Sequence, residues 1–583
     1  MGTAGTVARM RIVHAFAALC LAACSGPPGS HTGDANAVGG DGSHETPDAP
    51  PFAGAHLIPA TNAALAAKAA AYERQFHMFS AAPFGLSLDA IIPDPGDRAL
   101  VDGFLAQSAT TDFLAFTTAQ GQPRSVHDIV AFYDEHGDLG MFAGFAAAGD
   151  AFRYAALRDG GEDATAARAD LLAAIASFHI AATITGTPGT VARGIRRLDE
   201  PGTAPATQPP PATCPQAGDR GDTWRPDGSG QYAGWIYNDN NSKDQMLGYV
   251  LALGAFWDAV SGDTTIAASV RDQIRTDALA LAQSLMTTVP LGLGGSADLI
   301  VRDWHDCPTK HLDLNPRVVP IDGWDPLILA AGSTQQNGWN ALAALGVMRT
   351  LYHITGDAAV GHYYYDELVG TRDYPTLMTS GIAHVGAMYQ SGSPDTNFSN
   401  VNMAFVAAYG VLRYESDATL RAKYEHVLQS ELWDLPHPHD GKSTQQAFFN
   451  LMESAFRTAG NDTPTTAAAA AQLAEWAEPP YWDVAVENCD AGELAAGTCT
   501  AIDGTTQITL VAANDNHART PLPKRLRPPS NFEWRSDPRS VNGGGGLRLN
   551  PGGDFLAAYW MGRVLLDAAS GAANLSPFAR PRP

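Results

Sequence analysis

The chain has 583 residues, 45% of them apolar and 9% aromatic, which is enough for a large buried core. Its 61 acidic residues against 37 basic ones leave a formal net charge of -24, which argues against nucleic acid and anionic membrane surfaces as partners and in favour of small molecules or glycans. Apart from an N-terminal leader, no apolar run reaches the length of a membrane span.

The extreme N-terminus reads as an address. Arg9 and Arg11 precede a mostly apolar run from Ile12 to Leu19, interrupted by His14, and Leu21-Ala22-Ala23-Cys24 follows. Those four residues resemble the lipobox of bacterial lipoproteins. The resemblance implies removal of residues 1–23 as a signal peptide, lipidation of Cys24 and, with Ser25 behind the cysteine, a place in the cell envelope at the outer membrane. An ordinary secretory signal is the other reading. Residues 24–54 hold almost no large apolar side chain and read as a disordered tether. With Cys20 removed and Cys24 lipidated, Cys214, Cys307, Cys489 and Cys499 remain. An even number in an exported chain predicts two disulfides, with Cys489 to Cys499 and Cys214 to Cys307 the favoured pairing; a zinc site, for which no CxxC speaks, is the alternative.

Helical spacing predicts helices over 60–79, 98–116, 126–135, 139–158 and 162–182, inside an N-terminal helical part spanning 55–197. The Pro-rich segment 198–222 either links two lobes or crosses the surface of one. From 223 to 572, ahead of a tail at 573–583, helices are predicted at 242–260, 265–287, 338–354, 357–369, 376–389, 400–414, 417–432, 444–459, 464–477 and 554–569. Strand alternation is confined to pieces such as Thr506 to Val511. Segments 289–325, 433–443 and 479–553 read as long loops, where function is expected to sit.

The clearest helix opens at Ser242, a suitable N-cap, with Asp244 and Gln245 in the first turn and Gly248, Ala252 and Ala255 on a face small enough for another helix to approach. Trp235, Tyr237 and Asp239 stand at its entrance as candidate substrate contacts. Helix amides favour the anion at Asp244, which suits a base or a substrate clamp. Asn238 to Asp244 offers oxygens at alternating positions, as calcium loops do, but lacks the glycine at the sixth place and the closing glutamate. Capping, or proton transfer by Asp239 or Asp244, are the other readings, and no further cofactor or metal is expected.

Glu135-His136-Gly137-Asp138 packs ionisable residues into a turn, with Glu135 and His136 as candidate acid or base, or as a satisfied polar turn. His305-Asp306 and His437-Pro438-His439-Asp440 offer metal ligands without a partner motif. Near the end, Arg519, Lys524, Arg525, Arg527, Arg535 and Arg539 either bind uronate, sulfate or phosphate or pair with acids elsewhere on the chain. Glu533 and Asp554 are candidate catalytic carboxyls. Trp534, Arg535 and Trp560 are candidate glycan contacts, core packing being the alternative for the aromatics. HExxH, GxSxG and P-loop signatures do not occur.

The helix pairs, the Trp- and Asp-rich loops, the helix start Ser242-Lys-Asp-Gln-Met-Leu-Gly248 and the closing Asp554-Phe-Leu-Ala-Ala-Tyr-Trp-Met-Gly-Arg563 together resemble the six-hairpin (α/α)6 toroid superfamily. The resemblance implies an all-α toroid of antiparallel helix hairpins with its long loops at one end. It also implies glycoside hydrolase or polysaccharide lyase chemistry at that mouth. On this reading the chain is a lipid-anchored carbohydrate-active protein that works with a carboxylate pair, Asp244 with Glu533 or Asp554, on a glycan or oligosaccharide. The alternative is a non-catalytic glycan- or protein-binding envelope lipoprotein on the same fold.

Overall fold

A computed structural model describes residues 55–81, 84–107, 111–209, 212–216, 219–291, 295–321, 324–381, 398–434, 441–457, 465–483, 489–541, 543–570 and 574. The leader, Cys24 and the tether lie outside the described residues, as do His437, His439, Asp440 and the side chain of His305. The described residues contain seventeen α-helices and six sheets, each sheet of only two or three strands, so the fold is mainly helical. Asparagine and aspartate set many helix starts: Asn62, Asp94, Asp112, Asn337, Asp357 and Asp417 each accept a hydrogen bond from an amide of the turn that follows.

Six helices touch in a closed cycle. Gly144–Asp159 packs on Lys243–Val260, which packs on Gly338–Thr355, then Phe398–Tyr414, Ala447–Phe456 and Gly553–Val564, and the last returns to Gly144–Asp159. Members of this cycle are buried nearly all round; in Lys243–Val260 every residue from Gln245 onward is buried. Ala63–Gln75, Thr165–Thr183, Ala268–Met286, Ala418–Val427 and Thr465–Ala474 each pack on members of the cycle and keep an exposed face. In Ala268–Met286 only a stripe through Ile274, Ala278, Leu281 and Leu285 is buried deeply.

The contact between Gly144–Asp159 and Lys243–Val260 is backbone against backbone. A Cβ on Gly248 would fall 2.0 Å from the carbonyl oxygen of Gly140, and one on Gly140 would fall 2.0 Å from that of Gln245. The small face predicted at Gly248 is thus occupied, and the turn ahead of one helix lies on the first turn of the other.

The structure departs from the predicted elements in three places. The segment 98–116 is broken into Pro95–Leu105 and Phe113–Ala119, because Asp112 caps a new helix. The helix predicted at 126–135 stops at Ile129, and Phe132–Asp134 pairs with Asp89–Ile91, which also pairs with Arg548–Leu549. The segment 289–325 is a run of antiparallel hairpins rather than loop. Register shifts in two of these hairpins, and prolines at 308 and 320, hide the alternation that would have announced them.

Cys214 is bonded to Cys307 and Cys489 to Cys499, the pairing expected from the sequence. Pro50–Pro583 forms one compact unit, so the Pro-rich segment crosses the surface of a single body. Its Glu200 is buried against His136 and its Cys214 is tied down by the disulfide. No helix among the described residues is long and apolar enough to cross a membrane.

Candidate functional site: a carboxyl cluster at the helix starts

Two loops meet where Gly144–Asp159 and Lys243–Val260 begin. The first is the turn Glu135 to Asp138, in which Glu135 adopts a left-handed backbone (φ 67°), uncommon for a residue with a side chain. The second is the first turn of Lys243–Val260. The close backbone approach lets the amide of Gln245 span both: its Oε1 accepts from Met141 N at 2.7 Å and its Nε2 donates to Asp138 Oδ1. Arg193 lies between the two acids, with NH2 3.8 Å from Asp138 Oδ1 and NH1 donating at 3.4 Å to Ser242 Oγ. That hydroxyl in turn donates to Asp244, so Arg193 stands near Asp138 directly and reaches Asp244 through Ser242. The N-cap serine therefore serves Asp244 rather than a helix amide.

Asp138 is the chemically distinctive group. Burial pushes its carboxyl up to about 7, helped by a hydrogen bond from Asp138 to Glu135 and by the charge of Glu135, while Arg535 and Arg193 pull the other way. Its side chain still keeps 16% of its surface in solvent, so it can meet a ligand. Arg535 stacks on Phe142 at 4.4 Å and stands 3.8 Å from Asp138 Oδ2.

The cluster continues through Glu135. Asn531 Nδ2 donates to Glu135 Oε1 at 2.9 Å and to Asp89 Oδ2 at 3.0 Å. Arg548 reaches Asp89 at 2.7 Å, Asp134 at 3.3 Å and Glu135 at 3.6 Å. The three-stranded sheet makes this possible by placing Asp89 opposite Asp134 and bringing Arg548 onto the adjacent strand. Burial lifts the Asp89 carboxyl to about 7 against the pull of Arg548. Beside Asn531 and Arg548 opens a polar cavity of about 440 Å³, a size that suits a small ligand.

On the far side of Asp244, His311 pairs by backbone with Ser242, and Lys243 Nζ donates to Asp313 at 3.0 Å and to Asn340 at 3.2 Å. Burial lowers the His311 pKa while the charge of Asp244 opposes the shift.

Several residues singled out in the sequence lie elsewhere. Glu533 is 1% exposed and pairs with Lys524 at 2.9 Å and Arg527 at 3.1 Å. Burial alone would raise its carboxyl, but those two cations outweigh burial and hold it below the usual glutamate range. Asp554 is equally deep, accepts hydrogen bonds from the amides of Glu533 and Phe555, and is pushed up to about 7 by burial. Neither meets solvent, so Asp244 is not paired with either across an open mouth. His136 is buried between the Ile195 carbonyl and Glu200, and burial lowers its pKa.

Among the candidate glycan contacts, Trp534 packs in the core against Trp476 and Phe448, and Trp560 is buried with its indole N–H on Glu73. Tyr237 is fully buried. Trp235 is half-buried, edge-on to Phe84 and beside Arg197 at the far end of its strand from Asn238. Asp239 is held by Arg225, Trp304 Nε1 and Thr223 N. In the loop read for calcium, Asn240 Oδ1 accepts from Lys310 N and Asn241 Oδ1 from Ser242 N, so these two oxygens already serve protein donors, while Asn238 Oδ1 is buried without a hydrogen-bond partner among the described residues. Asp306 pairs with Arg302 at 3.0 Å. Of the C-terminal bases, Lys524 and Arg527 neutralise Glu533, and Arg525 reaches Asp503 at 3.5 Å.

Of the predicted site residues, then, the structure brings together Glu135, Asp244 and Arg535. Asp138, Asp89, Arg193, Gln245, Asn531 and Arg548 complete the cluster. Asp138 was visible as part of a polar turn and Gln245 as a first-turn residue of the clearest helix; Asp89, Arg193, Asn531 and Arg548 converge only through tertiary structure and left no local signal. Comparison with models of protein families, with curated proteins and with solved structures found no match to this chain.

Proposed function

We propose that the chain is a carbohydrate-active protein that cleaves a glycosidic bond at the Asp138/Asp244 cluster, as a hydrolase ahead of a lyase. The observation that carries this reading is the placement of two solvent-touching acids, Asp138 and Asp244, linked through Arg193 and the Ser242 hydroxyl where two neighbouring helices of the closed cycle begin. We read that cycle as the inner wall of an (α/α)6-type toroid. The second set of helices, each with an exposed face, supports that reading. The disulfides support export, in line with a leader over residues 1–23, lipidation of Cys24 and a lipid-anchored place in the cell envelope.

In this mechanism Asp138 is the general acid, because it holds its proton near neutral pH. The bond from the anomeric carbon to the leaving oxygen breaks as that oxygen takes the proton of Asp138. A water attacks the anomeric carbon and gives its proton to Asp244. Arg193 and Arg535 stabilise the Asp138 anion that is left, and Glu135, its hydrogen-bond partner, returns a proton from solvent.

The test is a screen of polysaccharides for release of reducing ends, followed by Asp138→Asn and Asp244→Asn on the cleaved substrate. Each change should lower kcat by about a hundredfold or more with melting temperature nearly kept. Cleavage that survives both substitutions would overturn the assignment.

One observation favours the second reading, a non-catalytic glycan-binding protein on the same fold. Both acids of the pair already serve protein donors, Asp138 accepting from Gln245 Nε2 and Asp244 from the Ser242 hydroxyl, as groups that hold a loop in place do. Under that reading the screen would release no reducing ends, while titration with the same glycans would show binding.

A further inference from the structure

The 440 Å³ cavity beside Asn531 and Arg548 contains an unusual group. Asn550 lines it and is 1% exposed, and neither its Oδ1 nor its Nδ2 has a hydrogen-bond partner among the described residues. Its backbone is committed: the N–H donates to Tyr481 O, and the carbonyl accepts from Gln75 Nε2. The amide is therefore held in place while offering one donor and one acceptor side by side. A ligand hydroxyl pair would satisfy both groups by accepting from Nδ2 and donating to Oδ1.

The rest of the lining is polar but bonded within the protein, with apolar surface beside it. Ser530 and Ser536 share a hydrogen bond at 2.6 Å, Asp483 accepts from the N–H groups of Gly545 and Arg548, Asp537 accepts from the N–H of Arg539, and Pro528 and Pro529 supply flat apolar surface. The cations at its wall are already paired. Arg527 is on Glu533, Arg548 is shared by Asp89, Asp134 and Glu135, and His517 stands 2.8 Å from Asp515 and 3.5 Å from Asp537. An anionic ligand would find carboxylates and no uncommitted cation among these residues. A ligand made of hydroxyls and apolar C–H faces would meet the unpartnered Asn550 amide and the proline surface.

We infer that this cavity is a binding subsite for an uncharged sugar unit, that Asn550 recognises a vicinal diol there, and that uronates and sulfated sugars are excluded. The inference rests on the reading of the chain as a glycan-active protein and adds the substrate class. Asn531 and Arg548, which belong both to the cavity wall and to the Glu135 cluster, connect the subsite to the proposed site of cleavage.

The experiment is calorimetric titration of the full chain carrying Asp138→Asn with cellopentaose, maltopentaose, xylopentaose and pentagalacturonic acid. At least one neutral pentasaccharide should bind, and pentagalacturonic acid should bind at least tenfold more weakly. Asn550→Ala should weaken the neutral sugar tenfold or more. Ser540→Phe, which fills the cavity from a surface loop, should do the same and covers the case in which the Asn550 variant does not fold. Binding of no neutral sugar, tighter binding of the uronate, or binding unchanged in both variants would overturn the inference; the last outcome would mean that the amide holds only water. The two proposals fail separately. Neutral binding that depends on Asn550 in a chain that cleaves nothing would leave the subsite standing and end the hydrolase. Cleavage with KM unchanged in both variants would do the reverse.

Discussion

Two carboxyl clusters lie near the starts of the cycle helices, and they are built on opposite principles. Around Glu533, two cations surround one buried carboxylate, and that carboxylate is held low. Around Asp138, several acids share cations that stand at the edge of contact, solvent reaches in, and the carboxyl is lifted to about 7. The first arrangement locks a loop onto the core, because removing either sign leaves the other uncompensated in a dry place. The second keeps a proton available at neutral pH where a ligand can meet it. Acidity in a sequence therefore does not separate catalysis from structure; the balance of cations and access to solvent does.

The largest effect should come from breaking the buried cluster. Glu533→Gln leaves Lys524 and Arg527 facing each other without an anion and should cost about 3–5 kcal/mol, read as a large fall in the denaturation midpoint. Lys524→Met should cost less, because Arg527 still neutralises Glu533. Equal losses from the two changes would show that packing rather than charge holds the loop.

Asp138→Asn should do the reverse. It removes a carboxyl that burial disfavours when charged, so the folded protein should be as stable as before or slightly more so at pH 8. Turnover on any cleaved glycan should fall about a hundredfold, close to 2.7 kcal/mol. Loss of stability comparable to that of Glu533→Gln would make Asp138 one more structural ion.

A smaller effect is expected from pH. Asp89, Asp138 and Asp554 are lifted to about 7 and Asp303 to about 8, each by burial first. The native chain thus holds protons that the unfolded chain releases from about pH 4 upward, so stability falls as pH rises through 4 to 8. His77 acts in the same sense. Burial would lower it, but Asp150 and Glu73 outweigh burial and raise it to about 10, so its stabilisation is complete below about 6.5 and lost toward 10. The melting temperature should be higher at pH 5.5 than at pH 8 by about 2 °C or more. A flat or rising profile would mean that these carboxyls ionise freely in the fold.

Legibility from sequence followed the same division. Long apolar runs such as Lys243–Val260 and Gly338–Thr355 were readable as helices because they are too long for strands and open on good caps or first turns, and the disulfides followed from an even cysteine count. Glu533, Trp534 and Trp560 looked like a glycan cleft because acids and aromatics in a loop carry no mark of depth. Their partners, Lys524, Trp476 and Glu73, make them core. Asp89 lies more than four hundred residues before Asn531 and Arg548, and it meets Arg548 through a three-stranded sheet too short to show alternation.

The smallest effect on stability should come from Asp244→Asn, and it decides what the first turn of Lys243–Val260 is for. Asp244 is only half-buried, and its described partner is the Ser242 hydroxyl, which an asparagine carbonyl oxygen can equally accept. What the substitution removes is the charge facing His311 and the helix amides, worth at most about 1 kcal/mol at such a position. If Asp244 is the base, the same change should also remove the acidic limb of the pH profile of kcat/KM, since that limb reports ionisation of the group that takes the proton from water, while the basic limb, set by Asp138, should stay near 7. Asp138→Asn should erase the basic limb and leave the acidic one. If Asp244→Asn lowers the melting temperature strongly and preserves both limbs, Asp244 is a cap that keeps Ser242 and Arg193 in place, and the base must be sought among the remaining acids of the cluster, with Glu135 first.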